Sequence, residues 1–145
     1  MSPKKAAPVD GEQAIAMASV TSSTGYRGEV RAGRHHFVAD EGPEVGGDDA
    51  GPSPYQLLLS GLVQCTAATL RMYANRKGWP LDEVRVRARL LRTGDGATKV
   101  ERIERTIRVA GDLSEEQRHR LAEIADRTPV TRTLVTGLTI DTTFE

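Results

Sequence analysis

The sequence predicts an α+β fold rather than a parallel array of strand–helix–strand units. Three observations favour this class. Three short β-compatible segments come first, one long apolar segment with helical start and stop signals follows, and two long alternating segments come next. The full predicted order is three strands, a long helix, two strands, two helices and a last strand. Because the strands cluster along the chain instead of alternating with helices, a parallel sheet is not expected.

Composition excludes several function classes. The chain has 145 residues, which fits one domain, and 20 basic residues balance 20 acidic ones. A balanced charge argues against nucleic-acid binding, and a single cysteine excludes an internal disulfide and a multi-cysteine metal site. We find no secretory signal pattern and no apolar segment long enough to span a bilayer, so no membrane partner is expected and a cytoplasmic location is predicted.

The N-terminal third is predicted to be a tail followed by a small antiparallel sheet. Residues 1–12 are polar and predict a flexible tail, which leaves residues 13–145 as one domain. Residues 14–20 are compatible with a strand, and residues 26–32 and 35–39 alternate around a glycine turn, as in a hairpin. Residues 40–54 form a glycine- and acid-rich loop. Loops of this length are uncommon in compact domains unless they serve a function.

The clearest element is a long helix with agreeing start and stop signals. Ser53 can serve as N-cap, Pro54 suits the first helical position, and Gln56 can close a capping box. The helix is predicted to run to about Lys77, where Gly78 can adopt the left-handed cap. Apolar residues surround most of its axis, which predicts a buried central helix.

Two long strands are predicted after this helix. Residues 84–90 alternate strictly and place arginines on one face, which is typical of a half-buried strand with a solvated side. Residues 99–109 alternate in the same way. Arg105, however, falls in phase with the apolar residues of its strand, and a bulge or a sheet edge would account for it.

The last third is predicted to contain two helices and a strand. Ser114 and Gln117 form a capping box that opens a helix to about Arg127. Thr128 and Pro129 repeat the cap-plus-proline signature and open a short helix through residue 134. Residues 138–144 alternate again, which predicts a final strand.

Cys65 is the main candidate for chemistry. It lies nearly three turns inside the long helix, where a lone cysteine among leucines is usually a small buried hydrophobe. A position in the middle of a helix receives no help from the helix N-terminus, so the thiol would need a cation from elsewhere to be reactive. His35 and His36 are adjacent on a strand and point to opposite faces, which makes them a poor chelating pair, and no metal site is expected.

The stretch around Cys65 resembles a known family. Residues 51–81, with the sequence GPSPYQLLLSGLVQCTAATLRMYANRKGWPL, are similar to the OsmC/Ohr family of hydroperoxide reductases, and to its OsmC-like branch in particular. The loop before them and residues 102–134 also resemble that family. The resemblance covers most of residues 20–145.

The resemblance implies both a fold and a reaction. The family fold is an intertwined homodimer in which antiparallel sheets wrap around long central helices, with the sites at the subunit interface. The family's first cysteine reduces organic hydroperoxides, and hydrogen peroxide in some members, as a peroxiredoxin-type peroxidase in oxidative-stress defence. That cysteine matches Cys65. An arginine of the N-terminal strands activates it, for which Arg27 is the best match and Arg34 the fallback. No cofactor is implied.

This chain departs from the family pattern at two places. A glutamate that orients the arginine in many members is replaced by Tyr55, with Gln56 beside it, and both residues and His36 are candidates for lining the site. The family's second cysteine is replaced by Thr128, which keeps the helix cap but not the thiol. The resemblance therefore implies a one-cysteine peroxidase that depends on an external thiol. Two alternatives remain: a small-ligand-binding or sensor protein without turnover, and an inert cysteine in an assembly protein.

Overall fold

The computed structural model describes residue 7 and residues 9–145, so most of the predicted tail, residues 1–12, lies outside the described residues. The chain divides into two compact units. The N-terminal unit contains the residues up to 54 together with residues 138–145, and the helical unit contains residues 55–137. Among the described residues, none of the helices has the length and apolar content needed to cross a bilayer.

The N-terminal unit contains a three-stranded antiparallel sheet. The strands are β1 (Ala18–Thr21), β2 (Gly28–Ala32) and β3 (His35–Ala39), in spatial order β1-β2-β3. The predicted hairpin is confirmed: β2 pairs with β3 through a turn at Gly33, whose φ of 61° is a conformation that glycine adopts without strain. The loop that follows contains one 3-10 turn at Pro43–Val45.

A buried carboxylate organises this loop. Asp40, at the end of β3, is only 3% exposed, and its oxygens accept hydrogen bonds from the backbone N–H groups of Glu41 (2.8 Å), Asp48 (3.2 Å) and Ala50 (3.1 Å). These hydrogen bonds hold the pKa of Asp40 below its usual range, and the bond from Ala50 has the largest effect. The positive charge of Arg27 lowers the pKa further. The loop is therefore closed around one ionised side chain.

Replacing Asp40 by asparagine is expected to lower the stability of the protein at neutral pH and to flatten its pH dependence in acid. A carboxylate whose pKa is depressed by folding stabilises fully above its unfolded pKa of about 3.9, and the contribution is lost as pH falls through the lower folded pKa. Urea unfolding midpoints from about pH 7 down to about pH 2 measure this. Asp49→Asn, at an exposed position of the same loop, is the matched control. Parallel pH curves for wild type and Asp40→Asn would contradict the assignment.

The long helix α1 (Pro54–Lys77) has the predicted bounds, and Gly78 takes the predicted left-handed cap with φ 69°. Its predicted burial on most sides is wrong for the single chain. Leu58 is 40% exposed and Met72 is 68% exposed, because two strands and two short helices of the helical unit cover only one side of so long a helix. Its buried residues form one stripe at i, i+4 spacing: Leu62, Thr66, Leu70 and Ala74.

Two strands and two helices complete the helical unit. The elements are β4 (Leu81–Thr93), β5 (Val100–Gly111), α2 (Glu115–Ala125) and α3 (Pro129–Thr136), with a 3-10 turn at Gly96–Thr98 between the strands. β4 and β5 pair antiparallel along their length. The predicted capping box of Ser114 and Gln117 is present at the start of α2. The core joins α1, β4 and α2 through residues Leu70, Ala74, Leu81, Leu113, Leu121 and Ala125.

The structure contradicts the predicted last strand and decides between the two explanations offered for Arg105. Residues 138–144 form no strand, because alternation alone does not make one and none of the described residues pairs its backbone with this segment. Arg105 does not lie at a bulge, because it pairs in regular register with Ala88 and the irregularity of this sheet lies between Leu81 and Glu83. The other expected position, a sheet edge, holds, because β4 and β5 form a sheet of two strands and each of them is therefore an edge strand among the described residues. Arg105 therefore enters the inner face of the sheet opposite a small side chain.

Candidate functional site

Cys65 lies in the middle of α1, half-buried, as a free thiol. Its Sγ lies 3.9 Å from the Thr69 hydroxyl one turn later, close enough for a weak hydrogen bond in either direction. The neighbouring residue Thr66 is fully buried and donates to the Leu62 carbonyl at 2.7 Å. The thiol thus has one polar neighbour on its own helix, at the i, i+4 spacing that places two side chains on the same face.

A hydrogen-bond network connects the residue after Cys65 with the start of α3. Arg105 Nη1 donates to the Thr66 hydroxyl at 3.0 Å and to the Thr131 hydroxyl at 2.7 Å. Thr131 in turn lies 2.6 Å from the hydroxyl of Thr128. Arg105 Nη2 donates to the Ala125 carbonyl at the end of α2, at 2.8 Å. One guanidinium therefore connects α1, α2 and α3.

Thr128 is buried at the N-cap position of α3, as predicted, but its side chain makes no capping hydrogen bond. The hydroxyl is instead paired with Thr131, so the expectation that Thr128 keeps the cap holds for its backbone and not for its side chain. The hydroxyl at position 128 is therefore already engaged.

The charge of Arg105 is largely enclosed. Its side chain is 13% exposed, whereas its carboxylate partner Asp126, 3.5 Å away, is 84% exposed. Its closer partners are neutral oxygens. The Arg105 guanidinium is therefore stabilised mainly by hydrogen bonds to neutral oxygens, including the Ala125 carbonyl at the negative end of α2. The exposed carboxylate of Asp126 contributes less.

Two cavities flank Arg105 within the helical unit. One of about 410 Å³ has mostly apolar walls, and one of about 610 Å³ lies between β5 and α2. The apolar walls of the smaller cavity are Leu62, Leu90, Ile103, Leu134 and Val135. Neither cavity has Cys65 in its wall, although Leu62 lies one turn before the cysteine. The helical unit therefore offers space for an apolar group close to the helix that bears the thiol.

Tyr55 and Gln56 lie in the first turn of α1. Nine or ten residues of helix separate them from Cys65, which is about 14 Å along the axis. The Tyr55 hydroxyl accepts a hydrogen bond of 3.4 Å from Arg92, whose guanidinium lies 5.6 Å from the ring centre and 3.0 Å from Glu101. Tyr55 is thus engaged with β4 rather than aligned with the thiol.

The remaining candidates lie in the N-terminal unit. Arg27 precedes β2, Arg34 lies in the hairpin turn, and His36 lies in β3 opposite Arg31, all of them exposed. Arg27 is close enough to Asp40 to lower the pKa of that carboxyl. Within the described ranges, no cluster of three or more histidine, cysteine or acidic side chains is arranged to hold a metal ion.

Arg105, Thr66 and Thr131 are the polar residues that sequence reasoning did not place in the site. The signal was present for Arg105, since a charged residue in the apolar phase of a strand must find partners in the interior. Its partners could not be named, because they lie 20 to 39 residues away along the chain.

Comparison with known proteins gives one family and several similar structures. The sequence model described as OsmC-like protein matches residues 46–143. No curated protein matches the chain. The resemblance seen in the sequence around Cys65 is therefore supported by a match that includes Cys65 and Thr128.

Solved structures with the same fold come from several bacteria. The organic hydroperoxide resistance protein OsmC of Legionella pneumophila is 19% identical, with a TM-score of 0.67 over 84% of this chain and 91% of that chain. An OsmC-like protein of Mycoplasma pneumoniae is 19% identical, with a TM-score of 0.69 over 86% and 89%. An organic hydroperoxide resistance protein of Elizabethkingia anophelis is 18% identical, with a TM-score of 0.68 over 90% and 95%. At these identities the likeness shows a common fold.

Proposed function

We propose that this chain, which belongs to the OsmC-like protein family, is a thiol-dependent peroxidase that reduces organic hydroperoxides, with hydrogen peroxide as a further substrate, in oxidative-stress defence. The observation that carries the proposal is a free, half-buried Cys65 with a hydroxyl neighbour, inside the region that matches the family. We propose residues 13–145 as one OsmC-like domain. The cytoplasm is the location that suits a thiol that has to stay reduced.

The proposed first step is an attack by the Cys65 thiolate on the distal oxygen of the hydroperoxide. A sulfur–oxygen bond forms as the oxygen–oxygen bond breaks, and the leaving alkoxide takes a proton and departs as the alcohol. The sulfur is oxidised by two electrons to a sulfenic acid, and the peroxide is reduced by the same two. The Thr69 hydroxyl, 3.9 Å from the sulfur, is the proposed hydrogen-bond donor to the thiolate.

The proposed second step requires a thiol from outside the chain. Because Thr128 replaces the family's second cysteine, the sulfenic acid is attacked by an external thiolate, which forms a mixed disulfide and releases water. A second external thiol then releases Cys65 and leaves as part of the external disulfide. A low-molecular-weight thiol or a small dithiol supplies the electrons.

The partly uncovered helix α1 supports an assembly of two copies. Its apolar side chains outside the buried stripe, Leu58 and Met72 among them, are exposed in the single chain. Apolar surface of this kind on a long central helix is stabilised when another chain covers it. We therefore propose the intertwined homodimer of the family as the working form.

Trapping the sulfenic acid tests the proposal. We expect that one equivalent of cumene hydroperoxide, added to the reduced protein in the presence of dimedone, gives a covalent adduct on the peptide that contains Cys65, detected by mass spectrometry. In a parallel sample without dimedone, one equivalent of a small thiol added after the peroxide should give the mixed disulfide at the same residue. No adduct at stoichiometric peroxide, from protein whose thiol count is intact, would overturn the proposal.

A pair of variants tests which arginine activates the thiol. If Arg27 supplies the cation, Arg27→Gln should slow the oxidation of Cys65 by about a hundredfold, the usual cost of removing one charge-stabilising donor, whereas Arg34→Gln should leave it nearly unchanged. Stopped-flow rates with the same hydroperoxide measure both. A slow Arg34→Gln and a normal Arg27→Gln would transfer the role to Arg34. Normal oxidation rates in both variants would show that neither Arg27 nor Arg34 activates the thiol.

A second candidate function is non-catalytic binding of a small apolar ligand. The apolar cavity of about 410 Å³ beside α1 is the observation that favours it. In that case an apolar ligand should bind equally well to wild type and to Cys65→Ser, and peroxide should be consumed by neither.

A further inference from the structure

Three arginines converge on the exposed face of the β4–β5 sheet. Arg85 is directly opposite Arg108 in the antiparallel register, and Arg87 is the next residue on the same face, opposite Thr106. All four residues are exposed, and they line one recess of about 100 Å³, which we call the arginine recess. Opposite residues of an antiparallel pair have Cβ atoms about 5 Å apart, so the Arg85–Arg108 pairing brings like charges together.

The charges of the arginine recess are poorly compensated, in contrast to those further along the same face. There, Glu104 binds Arg89 at 2.6 Å and Arg102 at 2.7 Å. At the recess, Glu83 binds Arg85 at 3.2 Å, whereas Arg87 and Arg108 take part in no ion pair within the described part of the chain. The chain as a whole has no excess of basic residues, so this excess is local.

Like charges that face each other across two strands lower stability unless an anion lies between them. Guanidinium groups are planar forks that bind the oxygens of phosphate in pairs, and a hydroxyl such as that of Thr106 donates one further hydrogen bond. A recess of about 100 Å³ accommodates a tetrahedral oxyanion but not the body of a larger ligand. The size of the recess and its positive charge thus both favour a small tetrahedral oxyanion such as phosphate.

We propose that the arginine recess binds a phosphate group, held by Arg85, Arg87, Arg108 and Thr106. The shared chemistry is a dianionic phosphate, either the free ion or the end of a phosphate monoester that extends into solvent. The proposal is independent of the peroxidase chemistry of Cys65, since it involves another surface and no redox step.

The test compares thermal unfolding in sodium phosphate and in sodium chloride at equal ionic strength. We expect phosphate to raise the melting temperature of wild type by about 2–4 °C more than chloride does, and titration calorimetry to give a saturable isotherm. Arg87→Gln should weaken binding about tenfold, whereas Arg89→Gln, on the same face but paired with Glu104, should not. Glycerol phosphate separates the sources: tighter binding than that of inorganic phosphate assigns the site to an ester, equal binding shows that the site accepts both, and weaker binding assigns it to the free ion.

Arg108→Glu gives a second and opposite signature. It places a carboxylate opposite Arg85, so the variant should melt higher than wild type in the absence of phosphate and lose the phosphate response. Equal shifts in phosphate and chloride for wild type, or an undiminished phosphate shift in both Arg87→Gln and Arg108→Glu, would mean an electrolyte effect only and would overturn the proposal.

Discussion

Replacing Cys65 by serine should reduce the rate of hydroperoxide consumption to the uncatalysed background, a loss of about a thousandfold or more. A serine hydroxyl is almost fully protonated near neutral pH and has no counterpart of the sulfenic acid, so neither step of the proposed cycle can occur. The change removes little volume from a half-buried position, so the folded state should persist. The measurement is the initial rate with cumene hydroperoxide and a dithiol reductant.

Thr69→Val is the matched control for this variant. It keeps the size of the side chain next to the sulfur and removes the hydroxyl 3.9 Å away, so a smaller loss is expected than for Cys65→Ser. If Cys65→Ser retains the wild-type rate, the cysteine is an inert side chain of the helix and the peroxidase proposal fails.

Replacing Arg105 by alanine should have the largest effect on stability, a loss of about 2–3 kcal/mol in the free energy of unfolding. The substitution leaves the Ala125 carbonyl at the end of α2 without its donor and breaks the connection between Thr66 and Thr131. The relief of an enclosed charge offsets part of the loss, which is why we do not expect more. Urea unfolding followed by circular dichroism measures the change.

Two further variants show whether the planar guanidinium of Arg105 or its positive charge is responsible for this stability. Arg105→Lys keeps the charge but cannot reach three partners with one planar group, so it should lose most of the same stability. Arg132→Ala, at an exposed position of α3, should change the free energy of unfolding by less than about 0.5 kcal/mol. A stability of Arg105→Ala within that same margin would show that the network contributes nothing net.

Local signals in the sequence predicted the elements well wherever the signal and the structure involve neighbouring residues. The helix bounded by Pro54 and Lys77 and the capping box at Ser114 are both confirmed. Helix caps and proline act within one turn, so neighbouring residues suffice to predict them. The family resemblance around Cys65 is also confirmed: it is carried by one continuous stretch, residues 51–81, that lies entirely within the matched region.

Expectations that required a distant partner were wrong or incomplete. The alternation of residues 138–144 is real, but none of the strands in the described part of the chain pairs with this segment. The apolar character of α1 is also real, yet one chain fully buries only one stripe of the helix and leaves other apolar side chains such as Leu58 and Met72 exposed. In both cases the sequence pattern shows that a segment is suited to pair with a strand or to be buried. Whether it does so depends on the partner that the rest of the fold provides.

The sequence by itself determined the fold class, the single thiol at position 65 and the absence of a second one, since these depend on residue identity and on contacts within a few residues. Only the tertiary structure decided what Arg105 does and how Arg85 and Arg108 meet. Arg105 finds its partners on three helices, and the register of β4 and β5 places two cations face to face. Buried charges and cross-strand pairs acquire their roles from groups that are far apart in the chain, and only folding brings those groups within hydrogen-bond distance.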